Sequence, residues 1–233
     1  MKKASYLVLL LCSGIFFSQC SKSDNNTTTP TPTVTDYGPM TTGSTWTYRR
    51  TDSTAVDTAT YTATGNTKVF GTGTTSRTYN IFTSDKSDTV YRLKSGNDYY
   101  QIFSVGGTIG DIQEHYLKDN AAVNDTWSDT ANFTISGQSV SLYAKHTLKE
   151  TGISRTVRGI TYTNVIHVRL DLSVYNPLYS ANIGGGDFYY ANGKGLTDDN
   201  LTIGINFPGF PPLVPSYTYN SATTQELLSS NIK

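Results

Sequence analysis

From Tyr37 onward, apolar and polar residues alternate with a period of two. The clearest run is Asn164 to Tyr175. Ile166, Val168, Leu170, Leu172 and Val174 take one side; Val165, His167, Arg169, Asp171 and Ser173 take the other. Successive strand side chains point to opposite faces, so this run predicts a long strand buried on one face. A helix would put Ile166 and Val168 on different sides. Other runs predict strands at 45–51, 59–64, 67–70, 76–83, 89–94, 98–105, 112–117, 132–136, 139–150, 154–157, 186–191 and 216–228. Between them stand Gly65-Asn66, Gly96-Asn97, Gly106-Gly107, Gly137-Gln138 and Gly184-Gly185, pairs that supply the positive φ angles of tight hairpins. No segment carries an amphipathic helical pattern. The predicted fold class is all-β: an antiparallel meander forming a curved sheet, half-barrel or open barrel.

The first 36 residues break this pattern. Lys2 and Lys3 precede an apolar stretch from Tyr6 to Phe17. A bilayer-spanning helix needs ~20 apolar residues, so this shorter stretch reads as a secretory leader. Cys20 stands where the stretch ends, before the polar run Ser21-Lys22-Ser23-Asp24-Asn25-Asn26. This arrangement resembles a lipoprotein signal, with Phe17 and Gln19 where Leu and Gly or Ala are usual. The resemblance implies cleavage before Cys20, a diacylglycerol on its sulfur and a further acyl chain, palmitate for example, on the new amine. Multiple chains anchor stably where one is marginal. Residues 21–36, SKSDNNTTTPTPTVTD, have too little apolar surface to offset the entropy of ordering. The expected organisation is a leader at 1–19, a disordered Thr/Pro-rich tether at 20–36 and one all-β domain at 37–233.

Two segments of the domain look alike. Gly43-Ser44-Thr45-Trp46 and Asn124-Asp125-Thr126-Trp127 place their tryptophans 81 residues apart, and Thr78-Tyr79-Asn80 corresponds to Thr161-Tyr162 with Asn164. The repetition suggests an internal duplication. The early Gly-x-Thr-Trp followed by Tyr48, and the late Tyr-Tyr-Ala-Asn-Gly-Lys-Gly-Leu from Tyr189 to Leu196, resemble uncharacterised β-rich lipoproteins of Bacteroidota. That resemblance implies the curved half-barrel of lipoprotein carriers. It implies no catalytic residues. The Pro-Ala-Gly-Thr-Phe turn frequent in such proteins is absent; Val157-Arg158-Gly159-Ile160-Thr161-Tyr162 stands in its place.

Charge and composition narrow the function. The chain of 233 residues has 18 basic and 18 acidic side chains, and loss of Lys2 and Lys3 leaves −2. Such a balance gives no pull toward nucleic acid. Cys12 leaves with the leader and Cys20 is consumed by lipid, so thiol catalysis and Cys-ligated metal are excluded. His115, His146 and His167 show no ligand spacing, and local hydrogen bonds are expected for them. Asp119-Asn120 and Asp198-Asp199-Asn200 lack calcium-loop spacing and read as turns. No Gly-x-Ser-x-Gly appears, and no carboxylate pair can be placed, so neither an enzyme nor a cofactor is expected.

Ile205 to Tyr219, INFPGFPPLVPSYTY, is an apolar loop whose prolines cannot join a ladder. It either plugs an open barrel end or forms an exposed lip. The expected function is non-enzymatic: a monomeric outer-membrane lipoprotein, facing the periplasm or the surface, that binds a sugar, a lipid or an envelope partner. Tyr99, Tyr189, Tyr190, Phe207, Phe210 and Tyr217 are the candidate ligand contacts. The alternative is a structural or interaction protein of the envelope with a filled core; a hydrolase comes third.

Overall fold

The computed structural model describes residues 35–233, apart from 53–54, 106–109, 136–137, 177–178 and 208–216. Twelve strands follow one another: β1 (Thr45–Thr51), β2 (Val56–Phe70), β3 (Arg77–Ser84), β4 (Thr89–Ser95), β5 (Asp98–Val105), β6 (Gly110–Lys118), β7 (Thr126–Ile135), β8 (Gln138–Val157), β9 (Ile160–Asn176), β10 (Tyr179–Ala191), β11 (Gly195–Phe207) and β12 (Tyr217–Asn231). All pair antiparallel in one sheet, ordered β6-β5-β4-β3-β2-β1-β12-β11-β10-β9-β8-β7. The last strand thus lies beside the first, with Thr45 opposite Asn231 and Thr51 opposite Thr224. The sheet ends, β6 and β7, approach each other and make a nearly closed barrel. Among the described residues no helix is long and apolar enough to cross a membrane.

The alternation sorts the faces. Trp46, Tyr48, Phe82, Tyr99, Tyr116, Trp127, Leu148, Ile166, Val168, Tyr190, Leu196 and Leu227 are buried in one cluster inside the barrel. Ser128, Thr130, Asn132, Lys145 and Thr202 are exposed outside. A membrane-spanning barrel sorts the other way, apolar outside and polar within. A smaller cluster of Phe70, Tyr79 and Ile102, with Tyr91, Leu93 and Tyr100 against it, lies on the opposite face of β2–β5.

Several predicted boundaries change. Gly65-Asn66 is no hairpin: β2 runs through it, with an irregularity between Ala63 and Thr67. Gly184-Gly185 is also within a strand, β10, beside a register shift at Asn182/Gly184. There the neighbouring strands crowd in, and a Cβ on Gly184 or Gly186 would overlap the carbonyl of Thr202 or Asn200. The segment Asp198-Asp199-Asn200, read as a turn, lies in β11 and pairs with β10 and β12. Gly96-Asn97 is the expected two-residue hairpin between β4 and β5. The Gly106-Gly107 pair and the Gly137-Gln138 junction fall largely outside the described residues, as do the leader, Cys20 and the stretch 208–216.

Up-and-down order gives the barrel two distinct ends. Residues 35–44, the C-terminus and the hairpins after β2, β4, β6, β8 and β10 share the entry end. The C-terminal ends of β1, β3, β5, β7, β9 and β11 share the far end.

Candidate functional site

At the entry end the first described residues, from Thr35, fold against the barrel core. Tyr37 is buried, and its hydroxyl donates to Asn164 Oδ1 at 3.0 Å. The Tyr37 amide donates to the Tyr99 hydroxyl at 3.2 Å, and that hydroxyl donates in turn to Asp119 Oδ2 at 2.9 Å. Burial pushes the Tyr99 phenol well above its ordinary range. Gly38 lies on the Tyr99 ring, where a Cβ would sit 3.0 Å from its Cδ1. Asp36 receives Lys94 Nζ at 3.1 Å, and its carbonyl accepts the Gly193 amide at 2.7 Å.

The two sequence signatures of the resemblance meet at this end. Trp46 Nε1 donates to the Lys194 carbonyl at 2.8 Å, and the Tyr48 hydroxyl donates to the Leu196 carbonyl at 3.0 Å. Gly-x-Thr-Trp and the Tyr189–Leu196 hairpin thus form one buried joint, reaching past β12. Trp127 holds the matching place in the other half of the chain. Each tryptophan is the second residue of the first strand of six, and each indole donates to a backbone carbonyl, Trp127 to that of His115.

The seam between β6 and β7 is closed by side chains. Besides the Trp127 bond, the His115 amide donates to Asp129 Oδ2 at 2.8 Å. Inside, His146 Nε2 lies 3.0 Å from Glu114 Oε1, and Gln101 Nε2 donates to Glu114 Oε2 at 2.6 Å. His146 is 2% exposed and stacks on Trp127 with centroids 5.6 Å apart. Its Nδ1 is enclosed without a partner among the described residues. Outside, the His115 ring stacks on Tyr100 and has Nε2 3.0 Å from Asp98 Oδ1, in an orientation unsuited to a hydrogen bond. Burial, opposed by Asp98, pushes the His115 imidazole down to about 4. Burial pushes the Asp129 carboxyl up. These groups resemble the parts of an acid–base site, but they lie within a closed wall.

Arg92 on β4 faces inward beside Phe82, its Nε enclosed and unbonded among the described residues. Asp199 on β11 faces inward too. Burial pushes its carboxyl up to about 7, against the Gln225 amide that it accepts at 3.2 Å and the charge of Arg92. The void beside Arg92, walled by Trp46, Tyr48, Tyr61, Phe82 and Val90, holds about 10 Å³. That is the lower limit for one water and far below the ~300 Å³ of a small-molecule site. A larger space, about 600 Å³, is an open, mostly polar depression beside the β6–β7 loop, touching Lys118, Asn120, Asp125 and Trp127.

On the outer face, His167 stands between Glu150 and Asp187, each 2.9 Å from a ring nitrogen. Tyr189 stacks on His167 at 4.3 Å, with the Arg155 guanidinium 3.7 Å from its other face. Arg155 also pairs with Asp198. The stack occupies both faces of the Tyr189 ring.

The candidate contacts are thus dispersed. Tyr99 is fully buried and Tyr190 6% exposed, and both belong to the core cluster. Tyr189 is on the other side of the sheet. Phe210 and the side chains of Phe207 and Tyr217 lie outside the described residues; Phe207 and Tyr217 pair at the far ends of β11 and β12. No group of three or more His, Cys, Asp or Glu that could hold a metal occurs among the described residues.

The fold is a nearly closed, twelve-stranded antiparallel barrel with an aromatic cluster inside. Two crystal structures are similar to it. One is "a putative lipoprotein" of Parabacteroides distasonis, with a TM-score of 0.49 and 13% identity over 84% of this chain and 99% of that one. The other is "a putative exported protein with YmcC-like fold" of Bacteroides fragilis, with a TM-score of 0.46 and 9% identity over 85% of this chain and all of that one. No family model and no curated protein matches the chain.

Proposed function

We propose that the protein is a lipoprotein of the cell envelope, anchored through Cys20, that acts through its outer surface and not through an internal pocket. The narrow void beside Arg92, about 10 Å³, carries this reading, because it is too small for a ligand. The packing of Tyr37 into the core at the entry end supports it as well. In this reading the walls and the far end of the barrel meet the partner. Outer-membrane attachment and a non-enzymatic role belong to the same proposal.

The test is metabolic labelling with an alkyne palmitate analogue, followed by intact-mass measurement. Label in the wild-type protein, a mass consistent with cleavage before Cys20, and loss of both in Cys20→Ser are expected. An unlabelled wild-type protein with its leader intact would overturn the anchor. A small molecule retained in native mass spectrometry would overturn the reading without an internal pocket.

A further inference from the structure

The outer wall of β7–β10 near the far end has an unusual grid. Backbone register places Thr130, Tyr143, Ser173 and Asn182 in one row across the four strands. Asn132, Ser141, Tyr175 and Ser180 form the next row toward the far end. Tyr143 is 38% exposed and Tyr175 50% exposed, although large apolar side chains are mostly buried in this protein. Thr130, Asn132, Ser180 and Asn182 are also exposed. No residue of the two rows is charged. The next row inward has Lys145 opposite Asp171, and Asp171 pairs with Arg169 at 3.1 Å.

Each tyrosine sits in a field of hydroxyls and amides, on neighbouring strands and diagonal to the other. Diagonal positions lie ~7–8 Å apart, room for two rings to act side by side. The rows have no aliphatic side chain for the apolar centre of a protein interface. They have no charge for a phosphate or a carboxylate. A tyrosine ring offers a flat apolar face, and its neighbours donate and accept hydrogen bonds. That combination matches a sugar, with its C–H faces and surrounding hydroxyls.

We propose that the β7–β10 wall is a binding platform for an uncharged polysaccharide, with Tyr143 and Tyr175 stacking on successive sugar rings. The platform names the partner class for the surface role above and rests on that reading. Ser141 Oγ donates to Asn132 Oδ1 at 2.7 Å, which ties these two polar side chains together on the grid.

The test is affinity electrophoresis of the full-length protein in non-ionic detergent, through gels cast with a neutral glucan, mannan or xylan. Retardation by at least one of them is expected. Tyr143→Ala and Tyr175→Ala should each weaken it roughly three- to tenfold, the scale of one lost aromatic contact. Tyr143→Phe and Tyr175→Phe, which keep the ring, should retain most of it. Both tyrosines are exposed, and unchanged thermal unfolding of the variants checks the fold. Passage unretarded through all three gels overturns the proposal, and so does retardation undiminished in the double alanine variant. Retardation only by charged alginate or pectate, or loss of a dimer in place of loss of glycan binding, also overturns it. Running Cys20→Ser in the same gels separates this proposal from the lipid anchor: glycan binding without lipid would leave the platform standing.

Discussion

Replacing His146 with Leu tests whether the Glu114–His146 contact holds the seam. Glu114 is 9% exposed and His146 2% exposed, so water replaces little of what is lost. The substitution leaves Glu114 with the Gln101 amide alone. Breaking a buried pair by removing one partner costs ~3–5 kcal/mol, and an unsatisfied buried polar group ~1–3 kcal/mol. The surviving Gln101 bond places the expected loss between these, at about 2–4 kcal/mol. For a domain of this size that lowers Tm by roughly 4–16 °C. Glu114→Leu combined with His146→Leu removes both polar groups, and its loss should be smaller than the sum of the single losses. Urea unfolding followed by tryptophan fluorescence measures all three, with Trp127 stacked on His146 as a local reporter. Hydrogen exchange at the His115 amide reads the seam itself, because that proton is bound to Asp129 across it. A His146→Leu protein within about 1 kcal/mol of wild type, or strictly additive losses, would refute the reasoning.

Other perturbations give equally definite expectations. Asp199 is pushed up to about 7, so its contribution is fully present below the unfolded pKa near 3.8 and is lost as pH rises through 7. Asp199→Asn should therefore gain on wild type at pH 8, by roughly 2–4 kcal/mol, and the gain should vanish near pH 4 in urea titrations. His115 has the opposite sign: its pKa falls from 6.5 to about 4, so stability present above 6.5 is lost as pH falls through 4. His115→Gln should flatten the acid side of the stability profile, while an unchanged slope between pH 4 and 6.5 would contradict the assignment. Gly186→Ala should destabilise by several kcal/mol, because the added Cβ meets the Asn200 backbone oxygen; a change under about 1 kcal/mol would show that the strands can part. Tyr48→Phe should cost about 1 kcal/mol, since it deprives the buried Leu196 carbonyl of its donor.

Much of the barrel was legible as period-two patterning. β1 and β5 have the predicted limits, and the Ile166–Val168–Leu170 stripe faces the core. β11 was missed because Asp198, Asp199 and Asn200 have low strand propensity, which reads as a turn. Tertiary partners overrule that preference: Arg155 takes Asp198 on the outside, and the Gln225 amide binds Asp199 within. The glycines at 65 and 184 misled for a related reason, since an irregular strand uses the same residue as a hairpin. The burial of Tyr99 and Tyr190 was not legible, because a tyrosine's amphipathic ring suits surface and interior alike. Only the partners of Tyr99, remote in sequence, show that its hydroxyl is committed to the core. The seam left no local signal, because Glu114 and His146 are 32 residues apart and separated by β7.

The position of β12 has a consequence for how the chain comes to its final shape. Of the twelve described strands, the first has a permanent neighbour that is made after the other ten, with Trp46 opposite Ser230. A nascent chain with β1 to β11 complete still has two bare edges in what becomes the middle of the sheet. Closing that gap joins segments at the greatest separation in the domain, and such non-local pairing is slow. Until it happens, β1 and β11 are templates for any passing strand, so truncation only a dozen residues from the C-terminus should favour aggregates over a trimmed monomer.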